Sequence, residues 1–592
     1  NLRSKLLGEV TFLSMAHLGE RGFDTIGGAV VSTTAFVFKT ESYPFLSGDY
    51  LRLIDGCSEL EKSTMAVEAI SNRNCGYFYR ASSNDFLQIP EAPIAYWLSQ
   101  DVRKAFAFPK VAEYFEVKEG LGTRDDPRFL RSFWEVDFGS IRFGSNCDNK
   151  WVPVDKAGGF RKWYGSNETV MNWGDNGIEI RNFEKSVPRN TQYFFKEAVS
   201  WGKVATGRPS FRIRTRHFAF VDAAPSAFGE NLGGLLASLN SCVVGEFLKI
   251  QGSTVNVTVG TAKNLPFIED INSKISSECI SYTKQDWDAF ENSWDFQCTA
   301  LLNEECHNPE LETSYRNLRA VWLEMTNEVK RLEEENNRIF IEAYCLADEL
   351  NDEIDHSAVT LTCNPHYRYG GGKSNSDLEA LLSADTMREF ISYAVGCMLG
   401  RYSLDKPGLI LANQGESVDD YRRQIPNPTF VPDEDNVIPL LDGDWFTDDI
   451  SERFKEFLKV TFGTEHYEEN LSFLENALYP DNLTGKKRKT IRDYFLKEFY
   501  SHHVKLYKKR PIYWLFSSPK GSFNALIYMH RYRPDTVSVI LNDYLREFRT
   551  KLESRLEHLM RIEASADASK SEKTKSLKEV ERLRKIIDEL ET

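Results

Sequence analysis

From about residue 310 onward, the apolar residues fall into a three/four spacing that suits a helix and nothing else. Leu318, Met325, Val329, Leu332, Ile339, Leu346 and Leu350 keep this rhythm, with Asn336 as a polar interruption. The pattern predicts one long helix with a coiled-coil-like seam across 301–355. A second stretch, 536–592, repeats it through Leu545, Phe548, Leu552, Leu556 and Leu559, then Leu577, Val580, Leu583, Ile587 and Leu590. The polar break at Ser565–Ser571 between these runs predicts a helical hairpin. Residues 356–535 read as a mixed, mostly helical accessory domain.

Upstream the punctuation changes. Between 131 and 300, glycines and aromatics recur in pairs such as Phe138-Gly139, Phe143-Gly144, Trp163-Tyr164-Gly165 and Trp173-Gly174. Short β-type runs separated by Gly and Asn predict an irregular β-rich domain. It closes with a helix at Leu232–Lys249 and a strand at Val255–Gly260. Residues 46–130 mix helix and loop, broken at Pro90 and Pro93. Residues 1–45 read as a helix and then a hairpin, with a turn at Gly27-Gly28 inside the run Phe23–Phe38. Two strands are not stable alone, so this segment is expected to be the end of a sheet that begins before residue 1. The fold class is α+β, in several domains.

Composition removes some function classes. With 41% hydrophobic and 13% aromatic residues, the chain can bury sizeable cores, which excludes global disorder. No run of about 18 apolar residues exists, so a membrane helix is not expected. The ten cysteines include no CxxC pair, and the grouping Cys298, Cys306, His307 fits no common zinc spacing. No metal is expected, and free thiols in a reducing cytosol are the reading. The first residues, Asn1-Leu-Arg-Ser-Lys, lack both an initiator Met and an apolar signal core, so the chain reads as a piece of something longer.

The net charge of −15 hides a contrast. From Arg128 to Arg216 there are 16 Lys/Arg and 9 Asp/Glu, a balance of +7 that leaves −22 for the remainder. Basic and aromatic residues interleave at Gly158-Gly-Phe-Arg161-Lys162-Trp163-Tyr164-Gly165 and at Phe211-Arg212-Ile-Arg214-Thr-Arg216. Such a field suits phosphate contacts and guanine readout; a β-domain with Trp in its core and Arg on its rim fits as well. Two smaller basic runs, Lys486–Lys489 and Lys508–Arg510, read as solvated faces, and His502-His503 as helix surface. Two segments imitate catalytic motifs. Gly370-Gly-Gly-Lys373-Ser374 copies the end of a phosphate loop, but Tyr367 stands where the pattern needs its first glycine. Asn364-Pro365-His366-Tyr367 follows a strand-like run and approximates the Asn-Pro-Pro-Tyr of amino-group methyltransferases. No glycine-rich cofactor strand precedes it, so a coincidental turn is favoured.

Several motifs in one order carry a resemblance. They are Phe23–Val37, Tyr79-Arg-Ala-Ser82, Ile94-Ala-Tyr-Trp97, Phe160–Gly165, Val255–Gly260, Lys509-Arg-Pro-Ile-Tyr-Trp514 and Ala525-Leu-Ile-Tyr-Met-His530. The set resembles the large adenine-specific DNA methyltransferases with a fused C-terminal specificity domain, and within them those of BREX phage-defence systems. The resemblance implies a DNA-recognition portion of an adenine-N6 methyltransferase that marks host DNA. Residues 1–45 would be the tail of the Rossmann-like catalytic sheet, 46–130 a connector, and 131–300 the target-recognition domain. The spacer helix 301–355, the accessory domain 356–535 and the hairpin 536–592 would follow. The S-adenosylmethionine site and the Asn-Pro-Pro-Tyr site would lie upstream of Asn1, so Asn364, Pro365 and Tyr367 would not be catalytic and this chain alone would not methylate. Arg161, Lys162, Arg212, Arg214 and Arg216 would contact DNA. Trp163 and Tyr164 would shape the loop presenting them, and Asn256 could do either. The implied partners are double-stranded DNA, other BREX proteins and acidic DNA-mimicking phage inhibitors, in a bacterial cytoplasm. Two alternatives remain: the specificity half of a fused restriction–modification enzyme, and a non-catalytic scaffold of a defence complex.

Overall fold

The computed structural model describes residues 2–25, 31–143, 149–204, 207–252, 256–269, 271, 274–484, 488–565 and 569–591. The architecture is mixed α/β, with small mixed sheets set among helices. The N-terminal sheet contains β1 (Thr11–Gly19), β2 (Thr33–Lys39), β3 (Ser47–Arg52) and β4 (Phe78–Ser82) in the order β2-β1-β3-β4. β1 pairs antiparallel with β2, placing Met15 opposite Phe36, and parallel with β3. The first strand therefore lies before Phe23. Ser14, Ala16 and His17 blur its apolar alternation, but pairing on both sides holds it in the sheet. The expected Gly27-Gly28 turn lies outside the described residues. β2 is an edge strand whose Phe36, Val37 and Phe38 are 52%, 56% and 41% exposed.

The middle of the chain forms two four-stranded sheets. One, ordered β10-β9-β12-β5, uses β5 (Glu116–Lys118), β9 (Ala198–Trp201), β10 (Phe211–Arg214) and β12 (Ser226–Phe228). The other, ordered β11-β7-β8-β6, uses β6 (Leu130–Ser132), β7 (Trp151–Asp155), β8 (Thr169–Asn172) and β11 (Ala219–Phe220). Val152, Val154, Met171, Ala198, Phe220 and Phe228 fill a shared small core. Val199, Trp201 and Phe211 pack instead with Leu235, Val244 and Phe247 of the helices Leu232–Leu239 and Cys242–Ile250. The strand expected at Val255–Gly260 is reduced to a single bridge between Asn256 and Val204. Thr258 caps a short helix there, its side chain accepting the N–H of Thr261.

The long helix is present as Leu311–Ala343, 33 residues. It stops earlier than its apolar rhythm, because Cys345 turns left-handed at φ 58° and Leu346 and Leu350 lie beyond the helix. Its stripe is not a coiled-coil seam. Leu318, Trp322, Met325 and Val329 enter one core, which also holds Phe133, Trp134 and apolar residues of the helices Asn375–Met398, Ile450–Phe462 and Tyr467–Leu478. Leu332, Phe340 and Ile341 enter the core beneath β9 and β10. The strand-like run Val359–Cys363 is not a strand; it is an irregular segment after a turn of 3₁₀ helix.

Near the C-terminus, β13 (Ile438–Pro439), β14 (Tyr513–Ser517) and β15 (Asn524–Tyr528) form a sheet ordered β13-β15-β14. The expected hairpin follows as helices Arg546–Ala564 and Lys570–Glu591. Phe548, Leu552 and Leu559 share a core with Val580, Leu583, Ile587 and Leu590. His503 is not on a helix surface. It is buried, its Nε2 accepts the backbone N–H of Tyr513 at 3.0 Å, and burial with the nearby Arg401 charge lowers its pKa to about 3. No helix among the described residues is long and apolar enough to cross a membrane.

Candidate nucleic-acid interface

The segment Phe160–Gly165 is a loop that plugs into the helical part of the chain. Arg161 is 4% exposed and spends its whole guanidinium inside the protein. Nε donates to Tyr164 O at 2.8 Å, Nη1 to Thr362 Oγ1 at 3.0 Å, and Nη2 to Thr283 O at 3.0 Å and Asp286 Oδ2 at 2.8 Å. Asp286 also accepts the backbone N–H groups of Thr362 and Cys363. A Cβ at Gly165, where φ is +119°, would collide with the Arg161 side chain, so glycine is required for this packing. Lys162 is buried against Glu333 of the long helix. The same carboxylate accepts Trp163 Nε1 at 2.6 Å. Trp163 is fully buried, and its backbone bridges to β10. Tyr164 is buried too, with the Lys284 ammonium over its ring.

Arg212 and Arg214 also point inward. They are two residues apart on β10, and strand geometry sends them to one face, opposite Ser200 and Ala198. Arg214 lies over Phe220 and Phe228 and donates to Ser226 Oγ at 2.9 Å. Burial lowers its pKa to about 10, with Asp155 opposing the shift. Burial likewise lowers that of Arg212. Four of the five cations expected to contact DNA are thus inside the fold. Only Arg216 is out, 79% exposed and 3.9 Å from Glu197. Asn256 is exposed as well.

The exposed positive groups of this region are others. Lys150, Lys185, Lys196 and Arg208 are exposed and make no ion pair among the described residues. Lys150 and Arg181 flank Trp173: the Lys150 carbonyl accepts the N–H of Trp173, and the Arg181 guanidinium lies over its ring at 5.1 Å. Between them the chain makes a left-handed turn, with φ of 50°, 56° and 74° at Asp175, Asn176 and Gly177. Asp175 and Asn176 project into solvent while Gly177 is buried under the indole. Turn geometry of this kind carried no local signal beyond the Gly-Asp-Asn-Gly run.

The methyltransferase-like motif is part of the docking surface. Asn364 is buried and caps the helix Pro365–Tyr369. Its Oδ1 accepts the N–H of His366, and its Nδ2 donates to the carbonyls of His356 and Val359. Tyr367 Oη donates to Phe160 O at 2.5 Å. Buried, with both ends of its amide hydrogen-bonded to backbone, Asn364 is set as a helix cap. Gly370, Gly371 and Gly372 all have positive φ and lead into Ser374, which caps the helix Asn375–Met398. Of the basic runs, Lys508 pairs with Glu168 and Arg510 with Glu135, again joining the β-rich part to the helical part. In the other run, residues 485–487 lie outside the description and Arg488 pairs with Glu475. Cys298 donates to Asn303, and His307 contacts the carbonyl of Thr461; no group of three His, Cys, Asp or Glu able to hold a metal occurs among the described residues.

No family model matches the chain. Over nearly its whole length the chain is homologous to adenine-specific methyltransferases. It is 35% identical to the adenine-specific methyltransferase PglX of Lacticaseibacillus casei (strain Zhang) over 98% of its own residues and 48% of that protein. It is 34% identical to the adenine-specific methyltransferase BrxX of Escherichia coli O9:H4 (strain HS) over 100% of its own residues and 49% of that protein. The resemblance carried by the ordered motifs is thereby shown. The chain spans about half the length of these curated relatives.

Proposed function

We propose that this chain is the DNA-recognition portion of a site-specific adenine-N6 DNA methyltransferase acting in a BREX phage-defence system. The observation that carries the reading is the full-length match to one half of PglX and BrxX. S-adenosylmethionine is the donor such an enzyme uses, and its site is assigned to the other half. Residues 1–45 are read as the end of the catalytic sheet. The open edge of β2, with three exposed apolar side chains in a row, supports that reading, since such an edge is normally covered.

The β-rich region is read as the target-recognition domain, with its DNA contacts on the groups that reach solvent. Lys150, Arg181, Arg208 and Arg216 supply phosphate anchoring, and Asn176 and Asn256 supply amides able to read adenine edges in the major groove. Arg161, Lys162, Trp163, Arg212 and Arg214 shape and orient that surface from within. The test is the salt dependence of DNA binding by the full-length enzyme. Replacing Lys150, Arg181 and Arg208 together with Ala should flatten log K against log salt by about 0.9 per lost phosphate contact. An unchanged slope would remove these residues from the interface.

A further inference from the structure

We propose that a cavity in the helical half binds a nucleotide-sized organic phosphate. The cavity has a volume of about 470 Å³ and lies where the end of the Lys274–Asp288 helix, the Asn375–Met398 helix and the Tyr500–Leu506 helix meet. That size falls in the range of small-molecule sites.

Its polar lining is left incomplete by the protein. Arg368 Nη1, Arg388 Nε, His503 Nδ1 and Asn292 Oδ1 are buried and have no hydrogen-bond partner, and all four residues line this one cavity. Buried polar atoms are nearly always paired, so four around one space mark a missing partner. Three of them are donors. The guanidinium groups offer N–H, and His503, whose Nε2 already accepts from Tyr513, carries its proton on Nδ1. Convergent donors call for an anion with several acceptor oxygens.

The donors are held before any ligand arrives. Arg368 Nη2 donates to Glu389 Oε1 at 2.6 Å, and Arg388 Nη1 to Asp385 Oδ1 at 2.7 Å, which fixes both forks while Arg368 Nη1 and Arg388 Nε stay without a partner. Lys505 adds an exposed positive charge, and Lys508, paired with Glu168, also lines the cavity, so three further cations face two carboxylates beside that pair. The lining also includes the half-buried rings of Trp287 and Phe290, against which a flat ring can pack. Inorganic phosphate would satisfy the donors and leave this surface bare. A phosphate joined to a planar base uses both. The site also touches the domain junction, because Lys508 pairs with Glu168 of the β-rich part.

The test is calorimetric titration and thermal melting of the 592-residue chain with AMP, ATP, adenosine and inorganic phosphate. AMP or ATP should bind and raise Tm, at least about tenfold more tightly than adenosine or phosphate alone. Arg388→Gln and Lys505→Ala should each weaken nucleotide binding severalfold, while Arg208→Ala leaves it unchanged. Lys505 is exposed and unpaired, so its variant keeps the fold if Arg388→Gln does not. No binding of AMP or ATP at millimolar concentration overturns the proposal. So does nucleotide binding indifferent to Lys505→Ala and Arg388→Gln, or phosphate binding as tightly as AMP.

Discussion

A buried charge is tolerated only with its partners in place, and Asp286 is the partner on which the Arg161 network turns. It holds Arg161 Nη2 on one oxygen and two backbone N–H groups across both. Removing one member of such a pair leaves the other charge uncompensated, at a cost of about 3–5 kcal/mol. Asp286→Ala should therefore lower the unfolding free energy by that order. The double variant Asp286→Leu, Arg161→Met should recover part of the loss, because the stranded cation is gone. Urea denaturation of both variants decides it, and a loss under about 1 kcal/mol for Asp286→Ala would mean that Arg161 is not held as described. Little of this network was legible in the sequence. A basic residue beside Trp reads alike on a DNA-facing rim and in a buried lock. The residues that settle the matter, Asp286 and Glu333, lie far along the chain and carry no local mark.

Secondary-structure elements were more legible where a period ran long enough to outvote exceptions. The terminal helical hairpin follows its apolar spacing closely, and the Leu311–Ala343 helix follows it up to the left-handed turn at Cys345, since each buries an apolar stripe. Short elements fail this test. β1 was hidden by Ser14 and His17, and the strand expected near Asn256 gives way to a helix capped by Thr258. The left-handed turn at Asp175–Gly177 is such a short element, and its geometry makes a prediction. A Cβ on Gly177 would come within 2.5 Å of the Trp173 ring, at a φ of +74° that L side chains rarely adopt. Gly177→Ala should displace the indole from under Arg181 and disturb the turn that carries Asn176. The expected outcome in the full-length enzyme is weaker binding to its own DNA site with non-specific binding little changed. Equal binding to both would show that the turn does not read sequence.

At the scale of the molecule, the long helix prevents the β-rich region from being a free-standing module. Its first half lies in the core of the helical part, and its second half lies under β9 and β10. Leu332, Phe340, Ile341, Tyr344 and Leu346 are all buried in the core that also contains Trp163, Trp201 and Phe211. Each such side chain contributes about 1.5–3 kcal/mol by leaving water. Together they rival the 5–15 kcal/mol that is the usual stability of a whole domain. A cut at residue 300, where the sequence pattern changes, would strip them away and would leave Lys162 and Trp163 without Glu333. A fragment of residues 89–300 should accordingly be insoluble or molten, whereas residues 89–592 should fold. The measurement is the soluble yield and the near-ultraviolet circular dichroism of the two fragments. A cooperative thermal transition in the shorter one would show that the β-rich region stands alone. Failure of that fragment together with folding of the longer one would show that its surface is held in place by the helical half, through the side chains first read as DNA contacts.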